Sequence, residues 1–121
     1  MRSSPPAPTY DRVCRWLSET YRLSGVDVLI GPKLYRLFGA AGLPGPKMRM
    51  HAIIGGAAAM EEIHLDADQA VTLESDIVRL GLAIASELGV ETLVERIAQE
   101  MAANQSVIIG RGEIGAWCRV P

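Results

Sequence analysis

Residues Ser106 to Pro121 read SVIIGRGEIGAWCRVP, and their reading decides what kind of sheet the chain builds. Two strand-like runs, SVIIG and IGAWCRV, flank a Gly-Arg-Gly step. Inside them Gly110, Gly112 and Gly115 stand in the spacing G-x-G-x-x-G, the pattern of dinucleotide-binding loops. Such a loop works by joining a strand to a helix, whose free N–H groups and partial positive charge meet the pyrophosphate. An acidic residue about 20 positions further on then holds the ribose. Here only AWCRVP follows the motif, too little for that helix and that acid. The motif therefore reads as a hairpin or bulge turn whose glycines supply positive φ.

Upstream, the pattern alternates between helix and strand. Residues 1–8 are rich in Ser and Pro and form a flexible, extended or loose lead-in; residues 9–121 form a single domain. Thr9 is placed to cap a helix carrying Tyr10, Val13, Cys14, Leu17 and Tyr21 on one face, with Gly25 as its stop. A short second helix opens at Pro32, with Leu34, Leu37, Phe38 and Ala41 on one side and Lys33 and Arg36 facing out; Gly42, Pro44 and Pro46 close it. KMRMHAIIG, residues 47–55, alternates as a strand. The following GGAAAMEEIHLD reads either as loop or as a helical turn. The longest helix is expected from about Ala67 to Leu88, held by Ala70, Leu73, Ile77, Leu80, Ile84 and Leu88 and ended by Gly89, with Gly81 a weak point inside it. Thr92 and Glu95 form a capping box for a last helix through Val94, Ile97, Ala98 and Met101, ending near Asn104. The expected class is α+β: about four helices with an antiparallel, hairpin-type sheet of two to three strands.

Composition narrows the function classes. At 121 residues and 49% hydrophobic, the chain can fold as one small domain. Only 5% of it is aromatic, so aliphatic residues and Met must fill the core. The net charge is −2 and no basic stripe suits nucleic acid. AIIGGAAAM, the longest apolar stretch, is too short to span a bilayer, and MRSSPPAP lacks a secretion signal's apolar core. Cys14 and Cys118 make no disulfide framework; they read as reduced residues of a cytoplasmic protein.

Residues that could carry chemistry are few. Glu61, Glu62, His64, Asp66 and Asp68 gather in EEIHLDAD, but the sixth position from Asp66 is Val71 and not the glycine of a calcium loop. Acids in front of a helix commonly cap it and oppose its dipole. His51 and His64 lack any metal-ligand spacing. Ser18, Ser24 and Ser75 have no glycine elbow around them. Arg49, Arg111 and Arg119 could grip an anion, though arginines on strands near a turn more often guard an edge. No catalytic, cofactor-binding or metal residue is assigned.

The order of segments nevertheless resembles a known family. Residues 5–50, PPAPTYDRVCRWLSETYRLSGVDVLIGPKLYRLFGAAGLPGPKMRM, are similar to the stretch after the fifth strand of class I S-adenosylmethionine-dependent methyltransferases. These proteins carry a Pro-x-Pro lead-in, an aromatic helix with Trp, and a helix ending F-x-x-A-G-L-P. LVERIAQEM and SVIIGRGEIGAWCRVP resemble their end, a helix, a Val-rich strand and a closing G-A-W-x-R-x-P strand, matched by Gly115, Ala116, Trp117, Arg119 and Pro121.

The resemblance implies a fragment of a Rossmann-like α/β fold. The family's cofactor loop and ribose-holding acid belong to the first half of its sheet, and nothing before Thr9 corresponds to them. The resemblance thus implies the C-terminal, acceptor-side portion of a small-molecule methyltransferase, truncated of its cofactor half. It is not expected to bind S-adenosylmethionine or transfer a methyl group alone. Pro8 and Tyr10 become substrate-side candidates by analogy. Residues 47–55 should pair with one edge of the last strand, leaving its other edge without a neighbour. Unpaired edges associate, so the partner is a homodimer mate or a separate N-terminal half, with neither nucleic acid nor membrane. The alternative is a non-catalytic, self-associating helix-plus-hairpin interaction module.

Overall fold

A computed structural model of the chain describes residues 1–58 and 60–121, with side chains for all of these except Met60, Glu61 and Glu62. The architecture is α+β. In chain order it runs β1 (Arg2–Ser4), α1 (Pro8–Leu23), α2 (Ile30–Ala40), β2 (Lys47–His51), β3 (Ile54–Gly55), α3 (Met60–Thr72), α4 (Glu74–Arg79), α5 (Ala85–Leu88), a 3₁₀ turn (Val90–Thr92), α6 (Leu93–Asn104), β4 (Val107–Ile109) and β5 (Glu113–Trp117). Two antiparallel sheets form, ordered β1-β4-β3 and β2-β5.

The two sheets are one ribbon bent at a bulge. His51 faces Glu113, and Ile54 faces Ile109. Between these pairs lie Ala52 and Ile53 on one strand but Gly110, Arg111 and Gly112 on the other. The extra residue defines a β-bulge, which bends a ribbon and increases its twist. Gly110 N–H donates to the Ile53 carbonyl at 2.8 Å and holds the kink. Residues 47–55 therefore feed two sheets rather than forming a single strand, and SVIIG does not pair with the segment that follows it. The turn is a bulge and not a hairpin. Its glycines do not supply positive φ either; Gly25, Gly42, Gly81 and Gly89 do that. Gly112 is a matter of room, since a Cβ there would lie 3.2 Å from Met50 Sδ.

The core lies under α1. Tyr10, Val13, Cys14, Trp16 and Leu17 bury the expected face against Ile63, Ala67 and Ala70 of α3, Ile77 of α4, Ile97 and Met101 of α6, and Ile108 of β4. Thr9 is not the cap. Pro8 occupies the first turn and Ala7 precedes the helix without a side-chain cap. The Thr9 N–H instead donates to Glu100 Oε2 of α6 at 2.9 Å, so a remote carboxylate satisfies one of the helix's orphan donors. The lead-in is extended, and it is held: β1 pairs with β4, and Asp11 Oδ1 and Oδ2 accept from Ser3 N–H and Oγ–H at 2.8 and 2.7 Å. Gly25 ends α1 as expected, at φ +80, with Val26 N–H donating to the Tyr21 carbonyl at 2.9 Å.

The single helix expected over 67–88 is three pieces. It begins earlier, at Met60, breaks at Leu73, and stops at Leu80. Gly81 takes φ +71, and Leu82 N–H reaches back to the Ile77 carbonyl at 3.0 Å. A tolerated interior glycine became a helix terminator, because it adopts the left-handed conformation at no steric cost. The Thr92–Glu95 capping box is not made. The 3₁₀ turn leads Thr92 in at φ −115 and ψ 6, and its hydroxyl turns back to the Gly89 carbonyl at 3.4 Å. A Glu87 carboxylate caps α5 instead, accepting from Ile84 N–H at 3.2 Å.

α2 stands apart from this core and buries no residue. It starts two residues before Pro32 and packs on β5, where a Cβ on Gly31 would sit 2.6 Å from Ile114 Cδ1 and 3.0 Å from its Cβ. Gly31→Ala is expected to push α2 off β5 and destabilise the fold by about 1–3 kcal/mol, read as a lower urea midpoint; an unchanged midpoint would show that the close approach is dispensable.

Candidate functional site

The C-terminal turn of α1, the segment into α2, the middle of α3 and the bulge surround a cleft of about 680 Å³, within the size range of small-molecule sites. Its walls include Tyr21 from α1, Val28 and Leu34 on either side of the start of α2, and Ile114 from β5. Its polar side chains are Ser18, Tyr21, Gln69 and Arg111. Tyr21 Oη donates to Gln69 Oε1 at 3.2 Å. Arg111 Nε lies 3.5 Å from Glu113 Oε1, a loose contact with an exposed carboxylate. Arg111 lies within the bulge, between Gly110 and Gly112, and reaches the cleft from there.

A second polar cluster is sealed inside. Tyr10 Oη donates to Asp66 Oδ2 at 2.9 Å, and both residues are fully buried. Cys14 lies one helical turn on from Tyr10. Burial pushes the Tyr10 hydroxyl well above its ordinary range, and the neighbouring Cys14 and Asp66 push it further. Burial likewise pushes the Cys14 thiol up to about 12, with Asp66 and Asp11 adding to the shift against the Tyr10 hydrogen bond. A thiol held neutral is a poor nucleophile, so this cluster serves structure and not covalent chemistry.

No family model, curated protein or solved structure matches the chain.

The sequence candidates scatter. Pro8 is exposed at the first turn of α1 and Tyr10 lies in the core; neither lines the cleft. Asp66 is inside α3 rather than ahead of it, facing Tyr10, while His64 and Asp68 are exposed. The side chains of Glu61 and Glu62 lie outside the described residues. Among the described residues no group of three His, Cys, Asp or Glu side chains could hold a metal ion, and no helix is long and apolar enough to cross a membrane. Both cysteines are free. His51 is exposed opposite Glu113, and Arg49 lies 6.0 Å from the Trp117 ring. Gly110 to Gly115 lead into a strand, so no helix N-terminus meets the glycine motif.

Sequence patterning misses Gln69, and it sets Asp66 ahead of a helix instead of inside one. Once α3 is allowed to begin at Met60, Ile63, Asp66, Ala67 and Ala70 share one buried face. An acid on an apolar stripe then signals a buried partner.

Proposed function

We propose that these residues are the acceptor-side section of an S-adenosylmethionine-dependent small-molecule methyltransferase, working in the cytoplasm with a donor-binding sheet docked beside β5. The observation that carries this reading is the edge of Glu113–Trp117, which is paired to β2 on one side and unpaired on the other. Unpaired strand edges are association surfaces. An apolar surface lies next to it. Val26, Val28, Leu29 and Ile30 are all exposed, Leu29 at 67%, and Tyr35 and Leu37 of α2 are exposed as well. Surfaces of this kind mark a missing contact. An antiparallel pairing of the β2 segment with the last strand is also what the family resemblance implies. The helices around the cleft would wall the acceptor's side, and methyl transfer itself would depend on positioning acceptor and donor in line.

Without that sheet, the same edge is free to pair with a second copy, and the alternative of a self-associating module rests on this feature too. The experiment separates them. Calorimetry of the isolated chain with S-adenosylmethionine should give no saturable heat at micromolar concentrations. A glycine-loop sheet domain encoded beside this chain, when co-expressed, should be retained with it and restore donor binding. Micromolar donor binding by the isolated chain would overturn the reading. So would failure of any such domain to associate while the chain forms a stable dimer, which is the signature of the alternative.

Gly115→Lys tests the edge itself. A side chain there meets open space, and a lysine on an edge strand opposes further pairing. Sedimentation should find the wild-type chain dimeric and the variant at least about tenfold weaker in self-association, with unchanged helix content.

A further inference from the structure

The geometry points to a ligand class for the cleft: an apolar small molecule carrying one anionic group, with Arg111 as its counter-ion. This deepens the acceptor-side reading and rests on it only for the ligand's role as methyl acceptor; the binding rests on the cleft.

Size and lining set the apolar part. About 680 Å³ beside Tyr21, Val28, Leu34 and Ile114 has room for a two-ring molecule and for larger ones, and apolar walls supply most of the affinity in such sites. The polar groups set the rest. Met1 lines the cleft as well; among the described residues lining it none is a carboxylate, and the only charged side chain is that of Arg111. Its protein partner, Glu113, is two-thirds exposed and touches it at 3.5 Å, too long for a good hydrogen bond. The guanidinium therefore has donors to spare, in the planar fork that suits a carboxylate. Gln69 Oε1 is occupied by the Tyr21 hydroxyl, which leaves its amide nitrogen as a further donor. Ser18 adds a hydroxyl. The cleft thus offers cation and donors but no anion, the complement of an aryl carboxylate or phenolate and a poor match for an amine.

The bulge makes this more than a surface arginine. Three residues opposite two turn the ribbon beside the start of α2, and Gly112 lets that turn close over Met50.

The test titrates three matched probes, 2-naphthoate, 2-naphthylmethanol and 2-naphthylmethylammonium, into the full chain without S-adenosylmethionine, following binding by calorimetry and by two-dimensional NMR. Naphthoate should bind one saturable site and shift the resonances of Tyr21 and Ile114. The alcohol should bind about tenfold more weakly, and the ammonium more weakly still. Arg111→Gln should bring naphthoate down to the level of the alcohol and leave the alcohol unchanged. Glu113→Gln, which removes the arginine's loose partner, should tighten naphthoate and not weaken it. Val28→Trp should narrow the cleft and weaken all three, with circular dichroism unchanged. Equal affinity for the three probes, no saturable naphthoate binding, or an Arg111→Gln variant that binds naphthoate as wild type does would overturn the proposal. If naphthoate binds as stated but no donor-binding sheet associates, the methyltransferase reading fails and the site stands. If the sheet associates and naphthoate does not bind, this inference fails alone.

Discussion

Tyr10→Ala is expected to lower the unfolding free energy by about 3–5 kcal/mol, roughly a fifth or more of the 5–15 kcal/mol typical of a folded domain. Tyr10 is fully buried at the centre of the contact between α1 and α3. The aliphatic neighbours cannot close over the space a whole ring leaves, so the loss combines transfer and cavity terms. Tyr10→Phe keeps the ring and isolates the hydroxyl. It takes from Asp66 Oδ2 the donor at 2.9 Å, and a carboxylate inside the core loses a charge-assisted bond, for about 1–3 kcal/mol. Urea unfolding of both variants, with a common slope, gives the two terms separately. A Tyr10→Phe variant as stable as wild type would show that the hydroxyl contributes nothing net. It would leave the packing argument in place.

The second large effect is alkaline unfolding. Burial raises the Cys14 thiol from 9.0 to about 12 and raises the Tyr10 hydroxyl in the same direction. The folded state therefore keeps protons that the unfolded chain gives up. Below pH 9 both states hold them, and the stabilisation is fully present. Above it the unfolded state binds fewer protons than the folded one, so stability falls with rising pH. The slope reaches about 1.4 kcal/mol per pH unit for Cys14 alone, and Tyr10 steepens it above its own ordinary range. Loss should run from about pH 9 to pH 12, the window between the two Cys14 values. Urea midpoints measured at pH 8, 9.5 and 11 should fall progressively, and Cys14→Ala should fall less steeply than wild type over the same range. A wild-type midpoint that stays flat through pH 11 would contradict the burial of both groups.

The parts of the fold that patterning read correctly are those where a single physical rule acts alone. The face of α1, its stop at Gly25, the end of α2 at Gly42 and the end of α6 at Asn104 follow from a 3.6-residue period and from local conformational preference. The resemblance implies that residues 47–55 pair with the closing strand; residues 47–51 do, and Ile54 and Gly55 pair with β4 instead. What patterning misread needed a partner distant in sequence. Thr9 was assigned a capping role that Glu100 fills from 91 positions away. Residues 47–55 alternate without interruption, and only the extra residue across the ribbon reveals where the strand breaks. Gly81 reads as a weak point inside a continuous helix, but it takes the left-handed conformation and ends the helix, with Leu82 returning to Ile77. The cleft was illegible for the same reason: Ser18, Gln69 and Arg111 share no motif and meet only because three elements converge.

The tie between the chain's first turn and its last helix governs when this molecule becomes folded during synthesis. Pro6 accepts from Asn104 Nδ2 at 3.3 Å, 98 residues later, and β1 has no strand to join until β4 exists. At ribosomal speeds the first helix emerges roughly 5–20 seconds before those residues do. Until α6 and β4 are made, Val13, Leu17 and their neighbours can pack on α3 and α4 but lack Ile97, Met101 and Ile108. Chaperone engagement should therefore persist until those residues have been synthesised, and release should coincide with the arrival of β4.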